Sequence, residues 1–125
     1  MSGSHVYSVI TSVGIGDGKT MPCAHMTFPI GSVAPPLPWC VYYLDEMEGF
    51  AADNRLHAKN YNWVVEHYWK DYDEDIEAAL ESAIESEFGA FRKTEVWVED
   101  ENCVQTAYYF AEIERTGSND DPESE

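Results

Sequence analysis

Along this chain the spacing of hydrophobic and polar positions changes from two residues to about four and back again. From Asn60 to Trp69 the alternation is strict. Tyr61, Trp63, Val65, His67 and Trp69 fall on one face, and Asn60, Asn62, Val64, Glu66 and Tyr68 on the other. That is the pattern of a half-buried strand, with the first set as the candidate core face. Upstream, Trp39-Cys40-Val41-Tyr42-Tyr43-Leu44 has high strand propensity and follows an extended approach set by Pro35, Pro36 and Pro38. Between these strands lies Gly49-Phe50-Ala51-Ala52-Asp53-Asn54, in which Asp53 and Asn54 tolerate left-handed backbone and form side-chain turns. The expectation is a long antiparallel hairpin whose connection exceeds what a tight turn needs.

The helical spacing follows at once. Ile76, Leu80 and Ile84 recur at i, i+4 and i+8, with Ala79 and Ala83 beside them and Phe88 closing the stripe. Asp71 or Asp73 can cap the first amides, further acids sit at the positive end of the helix dipole, and Gly89 ends the helix. Strand spacing then returns in Thr94 to Glu99 and Cys103 to Ile113, around a polar turn at Asp100-Glu101-Asn102. In the last strand Val104, Thr106, Tyr108 and Phe110 oppose Cys103, Ala107, Tyr109, Ala111 and Ile113. Both faces are fairly apolar. A helix covers only one, so the second suggests contact with another subunit or with the N-terminal arm.

Val6, Val9, Ile10 and Val13 recur at helical spacing before Gly14, Gly16 and Gly18, which predicts a short helix or a turn-rich arm. Pro22, Pro29, Pro35, Pro36 and Pro38 with Gly31 exclude a helix or a central strand, leaving Cys23 to Phe28 as a short edge strand. Met1 to Ser4 and Gly117 to Glu125 have the composition of disordered ends that carry no core contacts. The fold class expected is α+β, a single domain over residues 1–116 with a disordered acidic tail at 117–125. It combines a mostly antiparallel sheet of four to five strands, one main amphipathic helix on one face, and the short N-terminal helix or arm.

Composition narrows function. The chain has 125 residues, enough for one domain with one core, and its eight Tyr, five Phe and four Trp argue for a packed interior or a large aromatic interface. Its net charge of -17, with only seven basic residues, repels phosphate and disfavours nucleic-acid binding through Lys and Arg. No apolar run approaches the roughly 18 residues that cross a bilayer, and Met1 to Gly18 lacks the pattern of a signal peptide, so a soluble intracellular protein is expected. Cys23, Cys40 and Cys103 lack CxxC spacing and read as reduced thiols.

No catalytic constellation emerges. His5, His25, His57 and His67 sit on separate elements without the close pairing of metal ligands. Cys23 and His25 lack an oxyanion loop or an orienting third group. Gly14 to Thr20 ends in Gly-Lys-Thr but lacks the first glycine of a phosphate loop and reads as a flexible loop. The helical acids read as a solvated face. No catalytic residue, metal or cofactor is therefore expected, and function is sought in surfaces. The candidate interface residues are Trp39, Tyr42, Phe50, Asp53, Asn54 and His57, on the strand connection and the strand before it.

Pro35-Pro36-Leu37-Pro38-Trp39-Cys40-Val41-Tyr42-Tyr43, Phe50-Ala51-Ala52-Asp53-Asn54, Asn60-Tyr61-Asn62, the acidic helix, Lys93-Thr94-Glu95 and Tyr108-Tyr109-Phe110-Ala111-Glu112-Ile113 together resemble small structural proteins of long-tailed bacteriophages and prophages. The likeness is to the minor tail or tail-completion group similar to tail terminators, and it runs from about Met21 to Ile113. It implies a compact α+β fold and self-assembly into a ring, often a hexamer. That ring would meet the tail-tube protein and the head-completion or connector proteins, first in the host cytoplasm and then in the virion tail, without enzymatic activity, membrane contact or specific DNA binding, although phage DNA would pass through it. A second expectation, resting on charge alone, is a small acidic DNA-mimic inhibitor of a nucleic-acid-binding host protein.

Overall fold

A computed structural model of the chain describes residues 3–28, 35–52 and 55–115. In order they form α1 (Gly3–Thr11), β1 (Gly14–Gly16), β2 (Lys19–Thr20), β3 (Cys23–His25), β4 (Trp39–Ala52), β5 (Arg55–Trp69), α2 (Glu74–Phe88), β6 (Phe91–Val98) and β7 (Cys103–Arg115). The architecture is α+β, with two helices, a five-stranded sheet and a separate two-stranded sheet. The large sheet has the order β3-β4-β5-β7-β6 and is mixed, because β3 runs parallel to β4 while the other neighbours are antiparallel. A parallel pair needs a crossover, and the proline-rich stretch between His25 and Trp39 supplies it.

The central register explains the core. Val65 lies opposite Tyr42 on β4 and Tyr108 on β7, and Trp63 lies opposite Leu44 and Phe110. This face of the sheet receives both helices: Val6 and Ile10 of α1 and Leu80 and Ile84 of α2 pack with Tyr42, Trp63, Val65, Tyr108 and Phe110. The period-two and period-four stripes therefore meet in one cluster. Asp73 caps α2, its Oδ1 accepting from the amides of Asp75 at 3.0 Å and Ile76 at 3.2 Å. Gly89 ends the helix at φ 87°, a backbone that L side chains rarely adopt.

Several expectations change. The N-terminal helix starts at Gly3, whose backbone lies against the Tyr42 ring, so the first polar residues are not all outside the packed body. Gly14 to Thr20 is a short hairpin with a register shift between Gly14 and Gly16, where a loop was expected. Its two-residue turn, Asp17-Gly18, has φ of 54° and 71°, the geometry that matches strand twist. β6 begins at Phe91, before the expected Thr94, and Glu99–Glu101 forms a short 3-10 turn closed by Asn102 at φ 51°. The expected acidic tail at 117–125 lies outside the described residues.

Among the described residues the other face of the sheet carries no helix, since α1 joins α2 on the core side. Of the two coverings expected for it, the N-terminal arm is thereby removed. Its side chains instead hold one another. Glu66 accepts from Tyr43 Oη at 2.9 Å and Tyr68 Oη at 2.8 Å, and Gln105 Nε2 donates to Tyr68 Oη at 2.8 Å. Trp39 stacks on Tyr68 with ring centres 4.5 Å apart, and the Arg92 guanidinium lies 4.1 Å from the Tyr109 ring centre.

Candidate interaction surface

The long hairpin outruns the domain that supports it. β4 and β5 pair from Trp39↔Tyr68 as far as Ala52↔Arg55, with register shifts between Leu44 and Glu46 and between Phe50 and Ala51. Support is lost on both sides. β3 pairs only with Cys40, Val41 and Tyr42, and β7 reaches β5 only as far as Ala58↔Arg115. Past Ala58 only the rungs Ala51↔Leu56 and Ala52↔Arg55 project without a third strand, and the outer edge of β4 from Tyr43 onward has no strand beside it among the described residues.

The open β4 edge and the hairpin end carry exposed apolar side chains. Leu44, Met47, Phe50 and Leu56 are between 41% and 48% exposed, and Ile113 at the neighbouring end of β7 is 61% exposed. Open edges invite pairing with another chain. Here Asp45, Glu46 and Glu48 lie along the strand, which disfavours indiscriminate pairing while leaving the apolar side chains available.

The six candidate residues separate into different environments. Phe50 and His57 are exposed on the projecting hairpin, close to the turn. Trp39 lies at its base on the helix-free face, stacked on Tyr68 and met edge-on by Phe28. Tyr42 is only 7% exposed and packs with Tyr7, His25 and Trp63, so it belongs to the interior. Asp53 and Asn54 lie outside the described residues. Met47 was missed because Asp45, Glu46 and Gly49 break the apolar run and made the strand look finished at Leu44. Its signal was the pairing potential of β5, whose alternation continues to Asn60.

The groups with chemical potential are engaged or muted. His5 Nδ1 lies 2.7 Å from Glu112 and Nε2 lies 3.1 Å from Glu87, tying α1 to β7 and α2. Lys93 donates to Glu81 at 2.7 Å and Glu77 at 2.9 Å. Burial pulls its pKa down, but those hydrogen bonds outweigh the burial and hold it above the ordinary lysine value. Burial pushes the Cys23 thiol up to about 12, so it stays protonated near neutrality beside His25. Among the described residues no three His, Cys, Asp or Glu side chains gather to hold a metal ion, and no helix is long and apolar enough to cross a membrane.

Neither a protein-family model nor a curated protein matches this chain.

Proposed function

We propose that this protein is a non-enzymatic structural subunit of a long-tailed bacteriophage or prophage, a tail terminator or a neighbouring head-tail joining component that acts by ring self-assembly on the tail tube. The observation that carries this reading is the open edge of β4 with exposed Leu44 and Met47, leading to a hairpin end with exposed Phe50 and Leu56. A hairpin that reaches beyond its own core has little use inside the monomer. It can place apolar area against a neighbour, and head-to-tail repetition of one such contact closes a ring when the rotation permits. The helix-free tyrosine face adds a second surface rich in aromatic and hydroxyl groups, the composition favoured in interfaces.

The acidic-inhibitor reading finds less support. Of the α2 acids, Glu77 and Glu81 are engaged by Lys93 and Tyr108 of the sheet and by Tyr72 ahead of the helix, so the helix does not present an uninterrupted row of free carboxylates.

Native mass spectrometry of the chain, alone and with assembled tail tubes, tests the proposal. Rings, or a stoichiometric ring on tube ends, are expected, and Phe50→Glu with Leu56→Glu should abolish them while circular dichroism stays unchanged. A chain that remains monomeric and leaves tube ends bare would sink the reading. A one-to-one complex with a DNA-binding protein in its place would favour the inhibitor.

A further inference from the structure

Between β5 and the N-terminal end of α2 lies a cavity of about 230 Å³, with Ile15, Leu37 and Ile76 among its apolar walls. His67 lines it. This side chain is 4% exposed, and its Nε2 has no hydrogen-bond partner among the described residues. Leaving a buried polar atom unpaired costs about 1–3 kcal/mol, so the atom favours any group that can pair with it. Burial lowers the His67 pKa to about 4 against the opposing pull of Glu77, and Lys93 adds to the lowering. The imidazole is therefore neutral near pH 7 and keeps one ring nitrogen as an acceptor.

Two further features of the same walls indicate the charge of a ligand. Trp69 and Tyr72 line the cavity with ring centres 5.6 Å apart and planes inclined by 58°, and aromatic faces attract cations. Asp71, Asp73 and Glu77 also line it, against the ammonium of Lys70 on the wall and that of Lys93, 2.9 Å from Glu77. Glu77 is held ionised by Lys93, which keeps its carboxyl below the usual range. The local field is negative and disfavours anions.

We propose that this cavity is a binding site for a small organic cation, an ammonium with an apolar body, which donates an N–H to His67 Nε2 and sets its charge against Trp69, Tyr72 and the three carboxylates. An apolar cavity of about 150 Å³ holds benzene, so this volume suits one ring with an aminomethyl arm. The same chemistry is offered by a free amine or by the lysine side chain of a docking protein.

Titration of ¹⁵N-labelled protein with benzylamine, followed through the His67 ring nitrogens, tests the site. Benzyl alcohol and benzoate serve as neutral and anionic counterparts, and Nα-acetyl-lysine methylamide as the side-chain mimic. Benzylamine should give saturable shifts and bind at least about tenfold more tightly than benzyl alcohol, a difference of about 1.4 kcal/mol. Benzoate should leave the resonances unmoved, and His67→Leu should weaken benzylamine by about tenfold or more. Tighter binding of the lysine mimic than of benzylamine assigns the site to a protein lysine, and the reverse to a free amine. No saturable shift, benzoate or benzyl alcohol binding as tightly as benzylamine, or unchanged affinity in His67→Leu would overturn the proposal. Should His67→Leu fail to fold, Leu37→Trp fills the cavity from its wall, and benzylamine binding retained in that variant would overturn the proposal equally.

Discussion

The two halves of the β4–β5 hairpin are built from similar residues in opposite surroundings. In the near half, Cys40, Tyr42, Trp63, Val65 and His67 lie beneath α1 and α2. In the far half, Met47, Phe50 and Leu56 continue the same pair of strands toward solvent. Residue type does not separate them; the reach of the helices does. A large aliphatic or aromatic side chain contributes about 1.5–3 kcal/mol when fully buried, so the far half holds unspent association energy that the near half has already committed to folding. This asymmetry is the physical basis for placing interaction at the hairpin end.

The largest expected effect tests that asymmetry directly. Leu80→Ala, which truncates the α2 side chain pressed onto the near half, should destabilise the protein by about 2–5 kcal/mol in urea unfolding. Leu56→Ala removes the same atoms from the far half and should cost less than about 0.5 kcal/mol. Comparable losses at the two positions would show that the hairpin end belongs to the monomer's core, and the comparison would fail.

Acid provides the next break, because His67 belongs to the covered half. Its pKa falls on folding from 6.5 to about 4, so between those values the unfolded chain binds more protons than the native one. Stability is full above pH 6.5 and falls by about 3 kcal/mol as pH drops through 4. His5 has the opposite sign. Its hydrogen bond to Glu112 raises its pKa against the effect of burial, and Glu87 assists, so its contribution is present below pH 6.5 and is lost as pH rises through the raised value. Urea midpoints measured from pH 4 to 8 should show the acid limb flattened in His67→Leu and the upper limb flattened in His5→Gln. An unchanged acid limb in His67→Leu would refute the first assignment.

The same contrast explains what could be read from the chain. The near half was legible, because alternation from Tyr61 to Trp69 and the Ile76, Leu80, Ile84 stripe each reflect burial on a single face. The stop at Gly89 was legible for the same local reason, and so was the cap, expected at Asp71 or Asp73 and found at Asp73. The far half was not: Asp45, Glu46, Glu48 and Gly49 are poor strand formers, and only pairing with β5 makes them a strand. The parallel direction of β3 depends on the crossover path and has no sequence period. Asp17-Gly18, by contrast, is a recognisable hairpin turn that its neighbouring glycines concealed. For the candidate surface, Phe50 and His57 were expected on a long strand connection, whereas both lie within β4 and β5 because pairing continues to Ala52↔Arg55. The burial of Tyr42 depends on its register opposite Val65 and on where α1 lands, neither of which composition encodes.

The smallest expected effect isolates surroundings from contact distance. A Cβ added at Gly3 would meet Tyr42 Cε2 at 2.7 Å, and a Cβ added at Gly49 would meet Leu56 Cδ1 at the same 2.7 Å. The first neighbour is a ring locked in the core. The second is the end of a flexible, partly exposed side chain. Alanine in a strand also recovers about 0.5–1 kcal/mol of the entropy that glycine loses. Gly49→Ala should therefore be neutral or slightly stabilising, whereas Gly3→Ala should lose about 1 kcal/mol, near the lower end for overpacking because the first residue of α1 can tilt outward. Thermal unfolding of the two variants side by side measures the difference. A larger loss at Gly49 than at Gly3 would mean that Leu56 is held as firmly as Tyr42, and the far half would then be a structured end with little freedom to adapt to a neighbour.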